Sequence, residues 1–292
     1  MTPLTTLIPL IRRNKRYDFW FSVISIVCVL FSLLTLATLL LDLALEGVPR
    51  ISWSFLTSFP SRFADKAGIL SAWVGTFLVM LITAFISIPL GIMSGLYLEE
   101  YAPKNRLTQF IEINIANLSA VPSIIFGLMA LGIFVYKLHL GQSLLTAGLT
   151  LSLLILPIII VTTRESVRAI PISIREASYA LGATQWQTVK HHILPYAFGG
   201  IATGVIIALS RAIGETAPLI TIGALTFIAF LPHSLMDPFT VLPIQLFNWI
   251  SRPQAEFHIN AAAAGVVLLT ITLLMNAVAI VIRYQVRKKI KW

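Results

Sequence analysis

Residues 143–163 read SLLTAGLTLSLLILPIIIVTT. This stretch contains no charged side chain, and its length matches the roughly 20 apolar residues with which a helix crosses a bilayer. The whole chain agrees, because 57% of its 292 residues are hydrophobic and only 11% are charged, whereas an ordinary soluble domain carries about 25% charged residues. The composition predicts a membrane protein. It excludes a cytosolic enzyme and a disordered or disulfide-rich chain.

Six apolar runs of this kind follow one another along the chain, and together they predict an all-α membrane protein with six transmembrane helices. The second, third and fifth runs are longer than a straight span needs, so tilt, extension beyond the bilayer or internal breaks are expected there. A short N-terminal tail, residues 1–18, precedes a single transmembrane domain, residues 19–292. The six predicted spans are Phe19–Leu41, Ile69–Leu98, Leu107–Tyr136, Ser143–Thr163, Tyr196–Phe230 and Ile259–Ile282.

The distribution of basic residues predicts the orientation of the chain. Most of the 21 Lys and Arg residues lie in both terminal segments, in the loop between the second and third spans, and in the loop 164–195 between the fourth and fifth. Because short cytoplasmic loops are enriched in Lys and Arg, both termini and the loop 164–195 are expected in the cytoplasm. The formal net charge of +9 is therefore a topology signal, and no nucleic-acid partner is expected.

The loop 164–195 contains signals for two short helices outside the bilayer. Ser173 is followed three residues later by Glu176, and Thr184 by Gln187, and both pairs have the spacing of a capping box. Gly182 lies where the first helix would need a left-handed residue at its end. The loop also carries more apolar side chains than a solvated loop requires, which indicates either a docking surface or a loop resting on lipid headgroups. These side chains belong to Ile174, Ala177, Tyr179, Ala180, Leu181 and Trp186.

This loop resembles the EAA loop of ABC-importer permeases, whose pattern is E-A-A-x₃-G-x₉-I-x-L-P. Glu176-Ala177-Ser178 and Gly182 keep the spacing, with serine at the third position, and Ile193-Leu194-Pro195 is a shortened ending. In that family the loop forms coupling helices that sit in a cleft of the cytoplasmic ATPase subunit. The resemblance implies that Glu176, Ala177, Ser178 and Gly182 couple this chain to an ATPase.

The fifth predicted span contains ionisable residues, which are costly within a membrane and indicate function. Arg211 and Glu215 are four residues apart and able to pair on one helix face. Pro218 lacks a backbone donor and crowds the carbonyl of Gly214, so a helix break is expected near Gly214–Thr216. Three roles are open for these two residues: an ion pair that joins helices, a contact for an oxyanion in transit, or, through Glu215, proton coupling in a secondary transporter. A cytoplasmic docking loop argues against the last.

The segment Arg211–Leu219, RAIGETAPL, resembles the R-x-x-G-E-T-A-P-L stretch of phosphate-specific (Pst) permeases of the PstA type. Further stretches match in the same order, so the resemblance covers nearly the whole chain from the first span. They are residues 91–101, 121–128, 175–182 and 242–248.

The resemblance implies a type I ABC-importer permease fold in the inner or plasma membrane and a role in phosphate transport. Arg211, Glu215 and Thr216 would line the substrate pathway, with Gly214 and Pro218 at the helix break. The implied partners are a PstC-like second permease, a dimeric PstB-like ATPase that binds ATP and Mg²⁺, and an extracytoplasmic PstS-like phosphate-binding protein. A permease for another oxyanion or small solute is the alternative.

One position departs from the family pattern. Relatives commonly have arginine where this chain has Val161, so Arg164 is a candidate for a displaced substitute. Glu112, at the end of the third span, is expected only to reach the membrane interface. The sequence contains neither a Walker A pattern nor a G-x-G-x-x-G. We therefore expect no catalytic residue, no metal site and no cofactor on this chain.

Overall fold

The computed structural model describes residues 4–224 and 227–289, and within them the protein is built from α-helices without a β-strand. A single isolated bridge pairs Ser143 with Pro238. The helices are α1 Leu4–Gly47, α2 Trp53–Thr57, α3 Leu70–Leu96, α4 Arg106–Leu118, α5 Ser123–Ala130, α6 Leu144–Arg168, α7 Ile172–Ala180, α8 Gln185–Thr188, α9 Leu194–Gly214, α10 Ala217–Thr221, α11 Leu242–Ile250 and α12 Ala255–Lys289.

Shorter turns extend several of these helices. A 3₁₀ turn, Val48–Arg50, follows α1, and π-helical turns extend α3 (Tyr97–Tyr101), extend α5 (Leu131–Lys137) and join α8 to α9 (Val189–Ile193). The sequence explains several helix starts. The side chains of Asn105 and Ser143 accept hydrogen bonds from the backbone N–H groups of Thr108, at 2.9 Å, and Thr146, at 3.3 Å. Each cap satisfies a backbone donor that the first helical turn leaves unpaired.

The predicted membrane spans agree with the structure at five positions and differ in form at the third. Five continuous helical runs are apolar and long enough to cross a bilayer. The third predicted span, Leu107–Tyr136, is instead two helices that meet at 106°. The bend lies just before α5, where Pro122 lacks the N–H that a continuous helix would need. The five runs are Tyr17–Arg50, Leu70–Tyr101, Leu144–Arg168, Gln185–Gly214 and Ala255–Val286.

The predicted end of the fifth span is wrong. The helix stops at Gly214 rather than at Phe230, and Glu215 has extended backbone angles, φ −72° and ψ 125°. Pro218 explains the stop, because it cannot donate to the carbonyl of Gly214 and lies in the first turn of the next helix, α10.

Parallel packing of α3 on α6 forms the centre of the bundle, and glycines set the spacing between the two helices. A Cβ atom on Gly91 would lie 2.6 Å from the Cγ2 atom of Ile159, and one on Gly95 would lie 2.6 Å from the Cβ of Thr163. α9 packs antiparallel on α6 in the same way, since a Cβ on Gly204 would lie 2.5 Å from that of Thr162. Small residues thus allow close helix contact.

The two ends of the bundle differ in construction. The loop end holds the segment between α6 and α9 together with the π-helical turn after α3. At the far end, Trp249 of α11 is almost fully buried and packs against Phe55 and Phe257, with ring centroids 6.1 and 6.4 Å apart. Gly47 at the end of α1 packs closely on Ala262 near the start of α12.

The first span contacts the bundle near its C-terminal end, and none of its most apolar 18-residue window is buried within the chain. Such a surface suits contact with lipid or with another membrane subunit. The structure describes only part of the predicted tail, residues 1–18, and of the predicted domain, residues 19–292. Residues 1–3, 225–226 and 290–292 lie outside the described residues.

Candidate functional site

The loop between α6 and α9 contains one of the two predicted capping boxes. Gln187 donates its backbone N–H to Thr184 Oγ1 at 3.3 Å, and Thr184 N–H donates to Gln187 Oε1 at 2.8 Å. The predicted box of Ser173 and Glu176 is wrong, because α7 already begins at Ile172 with Pro171 as its N-cap residue. Pro171 fixes its own φ near −60° and starts the helix two residues too early for Ser173 to cap it.

Gly182 forms the predicted corner at the end of α7. Its φ is +80°, a conformation that side chains other than glycine rarely adopt. The N–H of Gly182 donates to Tyr179 O at 2.9 Å, and the N–H of Ala183 donates to Ser178 O at 3.2 Å. These bonds satisfy carbonyls at the helix end.

The second predicted short helix is not separate. α8 continues through the π-helical turn into α9, so residues Gln185–Gly214 form one helical run from the loop into the membrane. The loop in the structure is therefore shorter than the predicted loop, residues 164–195. α6 reaches Arg168, and only residues 169–184 lie between the two long helices.

The predicted ATPase-coupling residues divide into two groups. Glu176, Ala177 and Gly182 are exposed. Ser178 is buried, and its hydroxyl lies 2.9 Å from that of Thr188, which joins α7 to α8 inside the loop. Ser178 therefore contributes to the shape of the loop rather than to its surface.

Much of the predicted apolar surface of the loop is exposed. Leu181 is 89% and Trp186 64% exposed, and Tyr179, Ala180 and Ile172 are exposed as well. Ile174 differs, because it packs against the buried cluster that contains Val167 and Ile193. An exposed leucine and tryptophan beside a rigid corner are typical of a protein contact surface.

Two adjacent carboxylates at the end of α3 bind arginines of α6 and of the loop. Glu100 accepts from Arg175 Nη2 at 2.7 Å and from Arg175 Nε at 3.0 Å. Glu99 accepts from Arg168 Nη2 at 3.0 Å and lies 3.6 Å from Arg164 Nε. We call these five residues the loop-end ion cluster.

Arg164 is buried and ion-paired. It is 7% exposed, and its Nη2 lies 2.8 Å from Glu112 Oε1. Its carboxylate partners therefore lie on α4 and at the end of α3, and its role as a substitute for the arginine absent at Val161 stays a prediction. Glu112 does more than reach the interface, since it pairs with this buried arginine.

Sequence reasoning assigned no role to Glu99, Glu100 or Arg175. The available signal was the pair of acidic residues ending an apolar run, opposite a loop rich in arginine. The partners of Glu99 and Glu100 are 69 and 75 residues away in the sequence, so no local spacing rule identifies them.

At the other end of α9, the structure brings Arg211 and Glu215 together at the predicted helix break. Arg211 Nε donates to Glu215 Oε1 at 3.2 Å, and the two side chains are 40% and 16% exposed. Thr216 lies next to Glu215 in the non-helical link before α10, and its hydroxyl donates to the carbonyl of Gly214 at 3.4 Å. Within the described residues the Arg211 guanidinium forms this one ion pair, so other N–H donors remain for an anion.

Gly214 and Pro218 have different roles at this break. A Cβ on Gly214 would meet nothing within 4 Å, and its φ is not in the left-handed range. Pro218 is buried, and a Cβ on Gly127 of α5 would lie 2.7 Å from its Cα. The break therefore depends on Pro218 and on the packing of α10 against α5.

Among the described residues, a small cavity lies beside the break. The adjacent cavity, lined by residues that include Met80, Ala212 and Leu219, measures about 10 Å³, room for at most one water. Among the described residues, no group of three or more His, Cys, Asp or Glu side chains forms a metal site.

Comparison with known proteins gives consistent results. Residues 87–292 match the family described as "Binding-protein-dependent transport system inner membrane component". The chain is 33% identical over 77% of its length to the Bacillus subtilis (strain 168) "Probable ABC transporter permease protein YqgI" and covers 81% of that protein. It is 35% identical over 89% of its length to the Yersinia pestis "Phosphate transport system permease protein PstA" and covers 88% of it.

A solved structure has the same fold. A chain of a bacterial alginate ABC transporter in complex with its alginate-bound periplasmic protein superposes with a TM-score of 0.68, at 14% sequence identity. The match covers 94% of this chain and 98% of that one.

Proposed function

Because this chain belongs to the binding-protein-dependent transport system inner membrane components, a family of multi-pass permeases, we propose that it is the PstA-type subunit of an ATP-driven importer of inorganic phosphate. The observation that carries the proposal is the likeness to a phosphate-transport permease over 89% of the chain. The shared fold alone does not select the substrate, since the superposed structure transports alginate.

The pathway would lie between this chain and a second, PstC-like permease. Two observations support this arrangement. The cavity beside the helix break is about 10 Å³, and the side chain of Arg211 is 40% exposed on the surface of the chain. A second subunit facing Arg211 would complete the path.

Arg211, Glu215 and Thr216 would meet the anion in transit. Arginine presents several N–H donors in a plane that suits the oxygens of phosphate. Glu215 would compete with the anion for the same guanidinium, so that phosphate binds briefly and leaves again. The broken helix exposes backbone polar groups, which a membrane protein tolerates where they face other protein or a water-lined cavity.

The loop would face the cytoplasm and dock on a dimeric PstB-like ATPase, which binds ATP and Mg²⁺ and hydrolyses the nucleotide. The exposed Leu181 and Trp186 beside Gly182 supply the contact surface. A PstS-like phosphate-binding protein would deliver substrate at the far end. This chain itself would carry out no hydrolysis and hold no cofactor.

The test is transport by the whole complex in liposomes. When the ATPase faces the vesicle lumen and ATP is enclosed there, the wild-type complex is expected to take up labelled phosphate. An excess of sulfate or amino acids should not reduce this phosphate uptake. Uptake of another oxyanion in place of phosphate would assign the alternative substrate class. Uptake by this chain without ATPase would refute the importer.

The role of the ion pair is tested by Arg211→Gln, Glu215→Gln and the double variant. If the pair only joins neighbouring segments, the double variant restores a neutral, hydrogen-bonded contact and transport returns. If Arg211 contacts phosphate, the double variant assembles with the ATPase but remains inactive, which is the outcome we expect. Glu165→Gln is the matched control, because Glu165 is 61% exposed and pairs within its own helix.

A further inference from the structure

The loop-end ion cluster joins the loop to a helix that is distant in the sequence. The Arg175 guanidinium binds one carboxylate oxygen of Glu100 through both Nη2 and Nε, at 2.7 and 3.0 Å. The two side chains are 17% and 6% exposed. A paired, nearly buried contact of this kind fixes distance and direction, unlike an exposed surface pair.

Arg175 also fastens α7 to the end of α6. Its Nη1 donates to Ile170 O at 2.8 Å, and its Nη2 donates to Val167 O at 3.0 Å. These carbonyls belong to the last turn of α6 and the residues after it, where helices leave acceptors unpaired. One side chain of α7 thus binds both α6 and α3.

A second contact reaches the same acidic residue from α8. The side-chain amide of Gln185 donates to the backbone carbonyl of Glu100. Both helices of the loop, α7 and α8, are therefore hydrogen-bonded to the π-helical turn at the end of α3.

From this geometry we infer that Arg175 and Glu100 are the residues that transmit movement of the docked loop to α3. The inference rests on the proposed function, because it requires an ATPase that moves the loop. α3 packs along α6 over much of its length and contributes Met80 to the lining of the cavity beside the helix break. A displacement of α7 carried by Arg175 would shift α3 as part of the same rigid body.

A purely structural ion pair would have a different signature. Removing it would lower assembly, ATP hydrolysis and transport together. Removing a transmitting contact lowers the phosphate transported per ATP hydrolysed, because the ATPase still cycles while α3 no longer follows the loop.

The first test measures the movement of α7 relative to α3 and does not depend on which substrate the complex transports. Cys28 is the single cysteine and is exposed, so it is first replaced by serine. Spin labels are then placed at Ser173 on α7 and Lys104 after α3, both exposed. In the assembled complex, the distance between the labels should be the same with and without ATP. In Glu100→Gln it should shift or broaden on ATP binding. An equal shift in both proteins would overturn the inference.

The second test measures coupling in liposomes. Glu100→Gln should lower the ratio of transported phosphate to hydrolysed ATP about tenfold, the change that 1.4 kcal/mol produces. The exchanged pair Glu100→Arg with Arg175→Glu should recover part of that ratio. Glu165→Gln serves again as the control, because its partner Arg168 is 53% exposed.

A milder variant keeps the test decisive if Glu100→Gln fails to assemble. Arg175→Lys retains the charge but cannot donate from two positions in one plane, so an intermediate ratio is expected. A wild-type ratio in this variant would refute the inference. If the wild-type complex transports no phosphate, the proposed substrate fails, while the spin-label distances still decide whether α7 and α3 move together.

Discussion

Replacement of Gly182 by alanine tests whether the corner of the loop sets its docking conformation. The φ of Gly182 is +80°, and a Cβ at this position would meet no atom within 4 Å. The substitution therefore introduces no clash, and its effect is confined to backbone conformation. A left-handed conformation costs a residue with a side chain about 1–2 kcal/mol. That cost lowers the equilibrium ratio of the native corner to other conformations by a factor of about 5–30.

If the ATPase binds only the native corner, its apparent Kd should rise as the fraction of protein in that corner falls, by at most the same factor of about 5–30. The measurement is binding of purified ATPase to this permease and its partner in nanodiscs. Gly182→Asn is the matched control, because asparagine adopts left-handed conformations more readily than alanine and should bind more tightly than the alanine variant. Equal affinity of the alanine, asparagine and wild-type proteins would refute the assignment of Gly182 to the docking corner.

Three further predictions concern the bundle and its far end. Gly204→Ala should lower the free energy of unfolding by about 1–3 kcal/mol through overpacking against Thr162. Gly199→Ala, with open space around it, should instead raise that free energy by up to about 1 kcal/mol, because alanine is the better helix former. Thermal unfolding in detergent distinguishes the two variants. The Asp237 carboxylate accepts hydrogen bonds from two backbone N–H groups, which lower its pKa. The carboxylate should therefore stabilise its turn at pH values above the ordinary aspartate range, and this stabilisation should be lost as the pH falls through the lowered pKa. Hydrogen exchange of residues 233–237 should show the loss in the wild-type protein but not in Asp237→Ala. Arg50→Lys should lower the stability of the far end by about 1–3 kcal/mol, because lysine cannot replace all the hydrogen bonds that Arg50 donates to a buried asparagine and three backbone carbonyls. Denaturation monitored by tryptophan fluorescence measures this loss of stability.

Apolar length was sufficient to predict where helices cross the membrane, and proline and glycine chemistry predicted the corner at Gly182 and the break after Gly214. The bend of the third span was harder to predict, because Pro122 indicates a break in the helix but not the angle of 106° between its two parts. The start of α7 was predicted two residues late, because a capping-box pattern at Ser173 competed with Pro171.

The loop-end ion cluster was outside the reach of sequence reasoning for a different reason. Helix caps and turns depend on neighbours a few residues away, whereas Glu100 and Arg175 meet only after α3 and α6 have packed in parallel. The ion pair of Arg211 and Glu215 could be predicted because its members are four residues apart.

The continuity of α8 with α9 makes this helical run a lever arm. Its 30 residues from Gln185 to Gly214 span about 45 Å at 1.5 Å per residue. A tilt of about 5° pivoting at the loop end displaces the other end by about 4 Å. Arg211 lies on the arm, whereas Glu215 lies just beyond it in extended chain. Because Glu215 directly follows the last residue of the run, the two side chains move together, and a small tilt at the loop shifts the whole ion pair by several ångström relative to any helix that does not tilt.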